Sequence, residues 1–147
     1  MSVAFGAVYT RLWTATLILD LAGYRAEENL ADMTAVEPAA GDGDFLIPMI
    51  ERLVSSCRRQ VRPLKDCVRS LTAYELDETA ADQLRKAAGD KLIDLGVPKV
   101  EAQNLTSSWI KNGDFLLDAD RHNGTSLPFE YNTAQEKNSD VDFVIVK

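Results

Sequence analysis

Phe5, Val8, Tyr9, Leu12, Thr16 and Leu19 recur at steps of three and four residues, the period of an amphipathic helix. Trp13, Leu17, Ile18 and Leu21 widen that apolar stripe, so the helix is expected to be buried on more than one side. Gly23 suits its end, because glycine tolerates the left-handed backbone that closes many helices. Residues 25–44 are acidic and alanine-rich and are broken by Pro38, Gly41 and Gly43, which reads as a loop with one helical turn near Glu28–Met33. From Pro48 the helical period returns in Ile50, Leu53, Val54, Cys57 and Val61, and Pro63 forces a break by pushing Arg62 out of helical geometry.

Leu64, Cys67, Val68, Leu71 and Tyr74 predict a further helical face. Asp77 is a fitting N-cap for the next helix, whose stripe runs from Ala80 and Ala81 through Leu84, Ala88 and Leu92 to Leu95 and closes at Gly96 and Pro98. A last helix is expected over about Lys99 to Lys111. Beyond it the pattern changes. Asn123-Gly124 is a hairpin signal, and "VDFVIV" at 141–146 reads as a terminal strand. The expected fold is mainly α, a helical bundle of about four to five helices with a short C-terminal β-hairpin or strand appendage. Its domains are a bundle over 1–113, with an acidic loop at 25–47, and an appendage over 114–147 that is not independent.

Charge refines this picture. The chain of 147 residues carries −7, which disfavours general binding to nucleic acid. Seven acids and two bases give residues 1–50 a charge of −5, and 13 acids and eight bases give residues 76–147 the same. Three acids and six bases leave residues 51–75 at +3. Arg52, Arg58, Arg59, Arg62, Lys65 and Arg69 thus gather at the corner around Pro63, as a solvated face or a contact patch for an acidic partner. No basic leader precedes the first apolar stretch, and Arg11 and Asp20 interrupt it, so neither a secretion signal nor a membrane span is expected. Cys57 and Cys67 are too few for a disulfide framework and match no common zinc spacing, so both are expected as free thiols.

Candidate chemistry is sparse. A calcium loop starting at Asp42 would place Leu46, Ile47 and Leu53 where an oxygen ligand, a glycine and a glutamate are needed. Asp42-Gly43-Asp44 is therefore read as a turn into a helix, with carboxylates favouring the helix N-terminus. His122, the single histidine, falls in a turn with no nucleophile to orient. Asp114, Asp118 and Asp120 lack histidine or cysteine partners, and no phosphate loop or dinucleotide fingerprint is recognised. Catalytic residues, metal and cofactor are all expected to be none.

The apolar first helix, the acidic loop, "GDGDFLIPMIERLVSSCRRQV", and the polar-to-β tail together resemble the small helical head–tail connector proteins of tailed bacteriophages. In those proteins an acid-rich turn precedes a helix of the form D-x-L-x-x-x-I-x-x-A, a part played here by Asp44, Leu46, Ile50 and Leu53, with Ser55–Ser56 in place of alanine. The resemblance implies a non-enzymatic subunit that forms a ring with copies of itself and contacts neighbouring assembly proteins, in the cytoplasm of a bacterial host or in a virion. Phe143 and Ile145 would then add a strand to a partner. The alternative is a small acidic inhibitor or regulator of an enzyme or of a nucleic-acid site.

Overall fold

The computed structural model describes residues 11–118 and 143–144. The chain is mainly helical, as expected. Helix α1 spans Leu12–Leu21, α2 Leu46–Arg59, α3 Glu78–Asp94 and α4 Lys99–Trp109, with 3-10 segments at Leu30–Asp32 and Leu64–Arg69. Among the described residues four strands, β1 Ala35–Glu37, β2 Leu71–Glu75, β3 Ile110–Asn112 and β4 Phe143–Val144, form one sheet in the order β3-β2-β1-β4. All three pairings are parallel, with Ala35 opposite both Leu71 and Phe143, and Ala73 opposite Ile110. Parallel neighbours require crossovers, and the helices supply them: α2 joins β1 to β2, and α3 with α4 joins β2 to β3.

Local chemistry accounts for the helix ends. Gly23 has φ +80, and the amides of Gly23 and Tyr24 donate back to the carbonyls of Asp20 and Leu19, which closes α1. Asp77 caps α3 by accepting from the Ala80 amide at 2.8 Å, and Gly96 (φ +83) turns the chain after it. Pro63 separates α2 from the 3-10 segment that follows.

Three expectations change. The acidic loop contains the expected helical turn, at Leu30–Asp32, but also a strand that was not expected, β1, whose three residues are all buried. The helical face expected from Leu64 to Tyr74 is a 3-10 segment followed by β2, because the chain must become extended to pair with β1 and β3. Among the described residues of the first helix, only Ala15 and Leu19 are fully buried, while Leu12, Trp13, Leu17 and Leu21 are exposed. The strand expected at 141–146 is present at 143–144 and lies in the sheet beside β1. The Asn123-Gly124 hairpin falls outside the described residues. Among the described residues no helix is long and apolar enough to cross a membrane.

One core runs through these elements. Phe45, Leu46, Met49, Ile50 and Leu53 of α2 and the segment before it meet Leu84, Ala88 and Leu92 of α3, with Trp109 and Ile110 also in this core. Tyr24 is fully buried in the same cluster, and burial, reinforced by the nearby Cys67 and Cys57, raises its phenol far above the usual range against the opposing charge of Arg52. A raised native pKa means the folded state keeps a proton that the unfolded chain loses. Stability contributed this way is full below about pH 10 and falls as pH rises above it. Tyr24→Phe is therefore expected to flatten the alkaline decline in urea midpoint between about pH 9.5 and 11. An identical decline in both proteins would show that Tyr24 does not titrate on unfolding.

Candidate functional site

The strand order reverses beside β1. From β1 the chain steps outward to β2 and β3, then returns to place β4 on the opposite side of β1. At such a reversal the loops leaving neighbouring strands diverge, and a crevice opens at their C-terminal ends where ligands of open parallel sheets bind. The residues at that edge are the end of β1, the loop 38–45 into α2, the end of β2, and the turn after β3.

Glu75, the last residue of β2, organises them. Its Oε2 accepts the amide of Gly41 at 2.9 Å and its Oε1 the amide of Asp77 at 3.0 Å. Its backbone carbonyl accepts the amide of Gly113 and the Asn112 side-chain amide, each at 3.0 Å. One residue thus holds the loops after β1, β2 and β3 together. The loop after β1 is pinned further by the Ala40 amide, which donates to the Tyr74 carbonyl at 2.8 Å, and by the Gly43 amide, which donates to Ala40. Glu37, fully buried at the tip of β1, accepts the Ala39 amide at 3.2 Å.

Gly41 (φ 54) and Gly43 (φ 90) give this loop a backbone that other residues adopt at a cost. A Cβ on Gly43 would come within 2.8 Å of Leu84 Cδ1 and 3.3 Å of Ile47 Cγ1. With any other residue there, the Leu84 side chain or the loop would have to shift. Helix α2 then starts at Leu46 with no side-chain cap and no acid in its first turn, and Pro48 occupies its third position, where the amide has no helical partner. Asp42 is exposed and Asp44 half-buried. The turn-into-helix reading of Asp42-Gly43-Asp44 therefore holds in position, with Phe45 rather than either aspartate at the N-cap position. No group of three potential metal ligands occurs among the described residues.

The basic residues predicted as a contact patch lie elsewhere, mostly near the far end of α2. Arg52 is largely buried, pairing with Asp20 at 2.8 Å and donating to the carbonyls of Tyr24 and Thr16, which ties α1 to α2. Arg58 donates to the Leu95 carbonyl, Arg59 meets Glu27 at 3.4 Å, and Arg62 pairs with Asp32. Lys65 and Arg69 are exposed. Phe143 stands in register with Ala35 inside the sheet, and Ile145 is outside the described residues. Glu75 and Glu37 were missed by sequence reasoning. The available signal was a Gly-x-Gly turn between a short apolar run and a helix, with an acid closing the next β-capable run.

Three curated proteins are similar to this chain in sequence. The chain is 37% identical over 119 residues to the type II methyltransferase M.XhoI of Xanthomonas vasicola, a match covering 76% of this chain and 21% of that protein. It is 37% identical over 120 residues to the type II methyltransferase M.PaeR7I of Pseudomonas aeruginosa, covering 78% of this chain and 20% of the other. M.BstVI of Geobacillus stearothermophilus, likewise a type II methyltransferase, is 38% identical over 120 residues, covering 76% and 21%. The matched proteins are methyltransferases. The chain spans about a fifth of their length. No family model matches the chain, and no solved structure does.

These similarities correct the functional expectations. The connector resemblance rested on the order of helices and loops without a specific motif, and sequence identity to methyltransferases over three quarters of the chain overturns it. The virion-assembly role, the non-enzymatic assignment and the acidic-inhibitor alternative fall with it. The stretch that suggested a connector, "GDGDFLIPMIERL", is instead the turn and helix that follow the innermost crossover strand.

Proposed function

We propose that this chain forms the methyl-donor-binding part of a type II methyltransferase, holding S-adenosylmethionine in the crevice beyond the C-terminal ends of β1 and β2. The observation that carries the reading is the reversal of strand order beside β1, with a glycine loop bound there by the Glu75 carboxylate. The residues fit the donor. Glu75 uses two of its roughly four lone-pair sites on the amides of Gly41 and Asp77, which leaves acceptor capacity for ribose hydroxyls. The backbone around Gly41 can be approached closely because it carries no side chain.

Charge separates this donor from a dinucleotide, which binds at the same place in open parallel sheets. A pyrophosphate placed at the start of α2 would face Asp42 and Asp44, with Glu75 at the same edge and no lysine or arginine anywhere in residues 26–51. S-adenosylmethionine has no phosphate and carries a sulfonium and an ammonium, which an acidic edge favours. When bound, it supplies an electrophilic methyl carbon. The protein's part is to fix the ribose through Glu75, to hold the loop 38–45 in place, and to present the donor at the β1/β4 reversal. DNA is the acceptor we propose, in keeping with the type II designation of the relatives. The net charge of −7 argues that the DNA-gripping surface belongs to another part of the enzyme. The reading places the chain in the cytoplasm, in keeping with its two unbonded thiols.

Titration calorimetry of the chain tests this. S-adenosylmethionine and its demethylated product should bind saturably, and a nicotinamide dinucleotide should not. Glu75→Gln keeps a carbonyl acceptor for Gly41 but removes the charge, and should weaken donor binding by roughly tenfold or more. Tight dinucleotide binding, or no loss of donor affinity in Glu75→Gln, would overturn the assignment.

A further inference from the structure

At the opposite end of α2, away from the donor crevice, Cys57 lines a cavity of about 310 Å³ shared with Leu64, Val97, Arg58, Arg62 and Lys65. Its walls carry three cations against one acid, Glu101. Cys57 is itself 3% exposed, and behind it, on the 3-10 segment that leads into β2, lies Cys67, fully buried, with its Sγ 3.2 Å from that of Cys57. The two thiols are free. Of the cations, Arg58 donates to the Leu95 carbonyl and Arg62 pairs with Asp32, while Lys65 has no ion-pair partner among the described residues.

We propose that this cavity is a thiol–disulfide exchange site for small anionic disulfides, with Cys57 as the attacking sulfur and Cys67 as the resolving one. The Cys57 thiolate attacks one sulfur of the disulfide RS–SR, forming a Cys57–S–SR bond and releasing RS⁻. Cys67 then gives up its proton to solvent and attacks the Cys57 sulfur, forming a Cys57–Cys67 bond and releasing the second RS⁻. Two protein thiols are oxidised, and one small disulfide is reduced to two thiols.

The geometry suits each step. The sulfurs need to close by only about 1 Å to reach bonding distance, and residues 58–66 are the sole segment between them. The hydrogen bond from Cys67 holds the Cys57 thiol below its usual range against the cost of burial, with Arg62 assisting. Cys67 is pushed up, first by that same hydrogen bond. Capping the Cys57 sulfur in the mixed disulfide removes the thiolate charge that holds the Cys67 proton, so the first step prepares the second. The cationic, partly apolar walls select for an anionic disulfide carrying an apolar body.

Stopped-flow reaction of the chain with dianionic 5,5′-dithiobis(2-nitrobenzoate), compared with the uncharged bis-amide of the same aromatic disulfide at equal concentration so that the leaving thiols are closely matched, tests the proposal. The dianion should react roughly tenfold faster or more, with the margin shrinking at high salt and largely lost in urea. Each chain should release two thiolates and finish lighter by two hydrogens, with no adduct. Cys67→Ser should stop at the mixed disulfide with one thiolate released, and Lys65→Glu, an exposed change outside the core, should lower the anionic preference several-fold. Equal salt-independent rates for the two reagents, or a wild-type chain that keeps the adduct, would overturn it.

Discussion

Trp109→Ala should come close to unfolding the chain. Trp109 ends α4, is fully buried, and donates its Nε1–H to the Cys67 carbonyl at 2.9 Å. It therefore joins α4 to the 3-10 segment that leads into β2, and Ile110 of β3 follows it directly. Truncating a buried tryptophan to alanine costs about 3–5 kcal/mol through lost burial and the cavity left behind. The stranded carbonyl of Cys67 adds about 1–3 kcal/mol if water cannot reach it. Against a total of about 5–15 kcal/mol for a small domain, little native population should remain at 37 °C. Trp109→Phe separates the two contributions, since it keeps most of the volume and loses the hydrogen bond. Urea unfolding should rank wild type above Trp109→Phe above Trp109→Ala. A loss below about 1 kcal/mol in the alanine variant would mean the site collapses around the gap.

Gly43→Ala should damage both stability and donor binding. The backbone at φ +90 disfavours an L side chain by about 1–2 kcal/mol. The new Cβ also lies 2.8 Å from Leu84 Cδ1, and Leu84 is buried in α3, so relief moves either a core side chain or the loop. Overpacking of that kind costs about 1–3 kcal/mol. Because the loop is held by the Gly41 amide on Glu75, a shift at Gly43 disturbs the proposed ribose site two residues away. Affinity for S-adenosylmethionine should fall by more than the roughly tenfold expected of Glu75→Gln. Gly89→Ala is the control: its Cβ meets nothing within 4 Å inside α3, and helix propensity favours the change by up to about 1 kcal/mol. Equal midpoints and donor affinities for Gly43→Ala and wild type would show that the loop has room that its geometry denies.

Much of the helical framework was legible because its signals are local. The Asp77 cap, the breaks at Pro63 and Gly96, and the Gly23 closure act within a few residues of themselves. The strands were harder. Strand β1 is three residues, Ala35-Val36-Glu37, inside an acidic stretch, and its glutamate is buried rather than solvated. Strand β2 was absorbed into a helical stripe because Leu64, Cys67, Val68, Leu71 and Tyr74 happen to fall at three- and four-residue steps. Buried parallel strands show no alternation to mark them, which leaves short apolar runs ambiguous. The candidate site inherited that difficulty. Asp42-Gly43-Asp44 was placed correctly as the turn into α2, yet without β1 before it and β2 beside it the turn had no Glu75 to bind.

The sequence by itself determined the closure of α1 at Gly23, the break after α2 at Pro63, the Asp77 cap and Gly96 end of α3, that one core forms, and that the chain is acidic with a basic corner. Those properties depend on neighbours along the chain or on totals over it. Only the tertiary structure decided that β1, β2 and β4 lie side by side, that the order reverses at β1, and that Glu75 reaches the Gly41 amide across 34 positions. Parallel pairing joins residues separated by a whole crossover, and no local period encodes which strand lies next to which. The crevice exists because of that pairing, so its chemistry becomes readable only once the sheet is assembled.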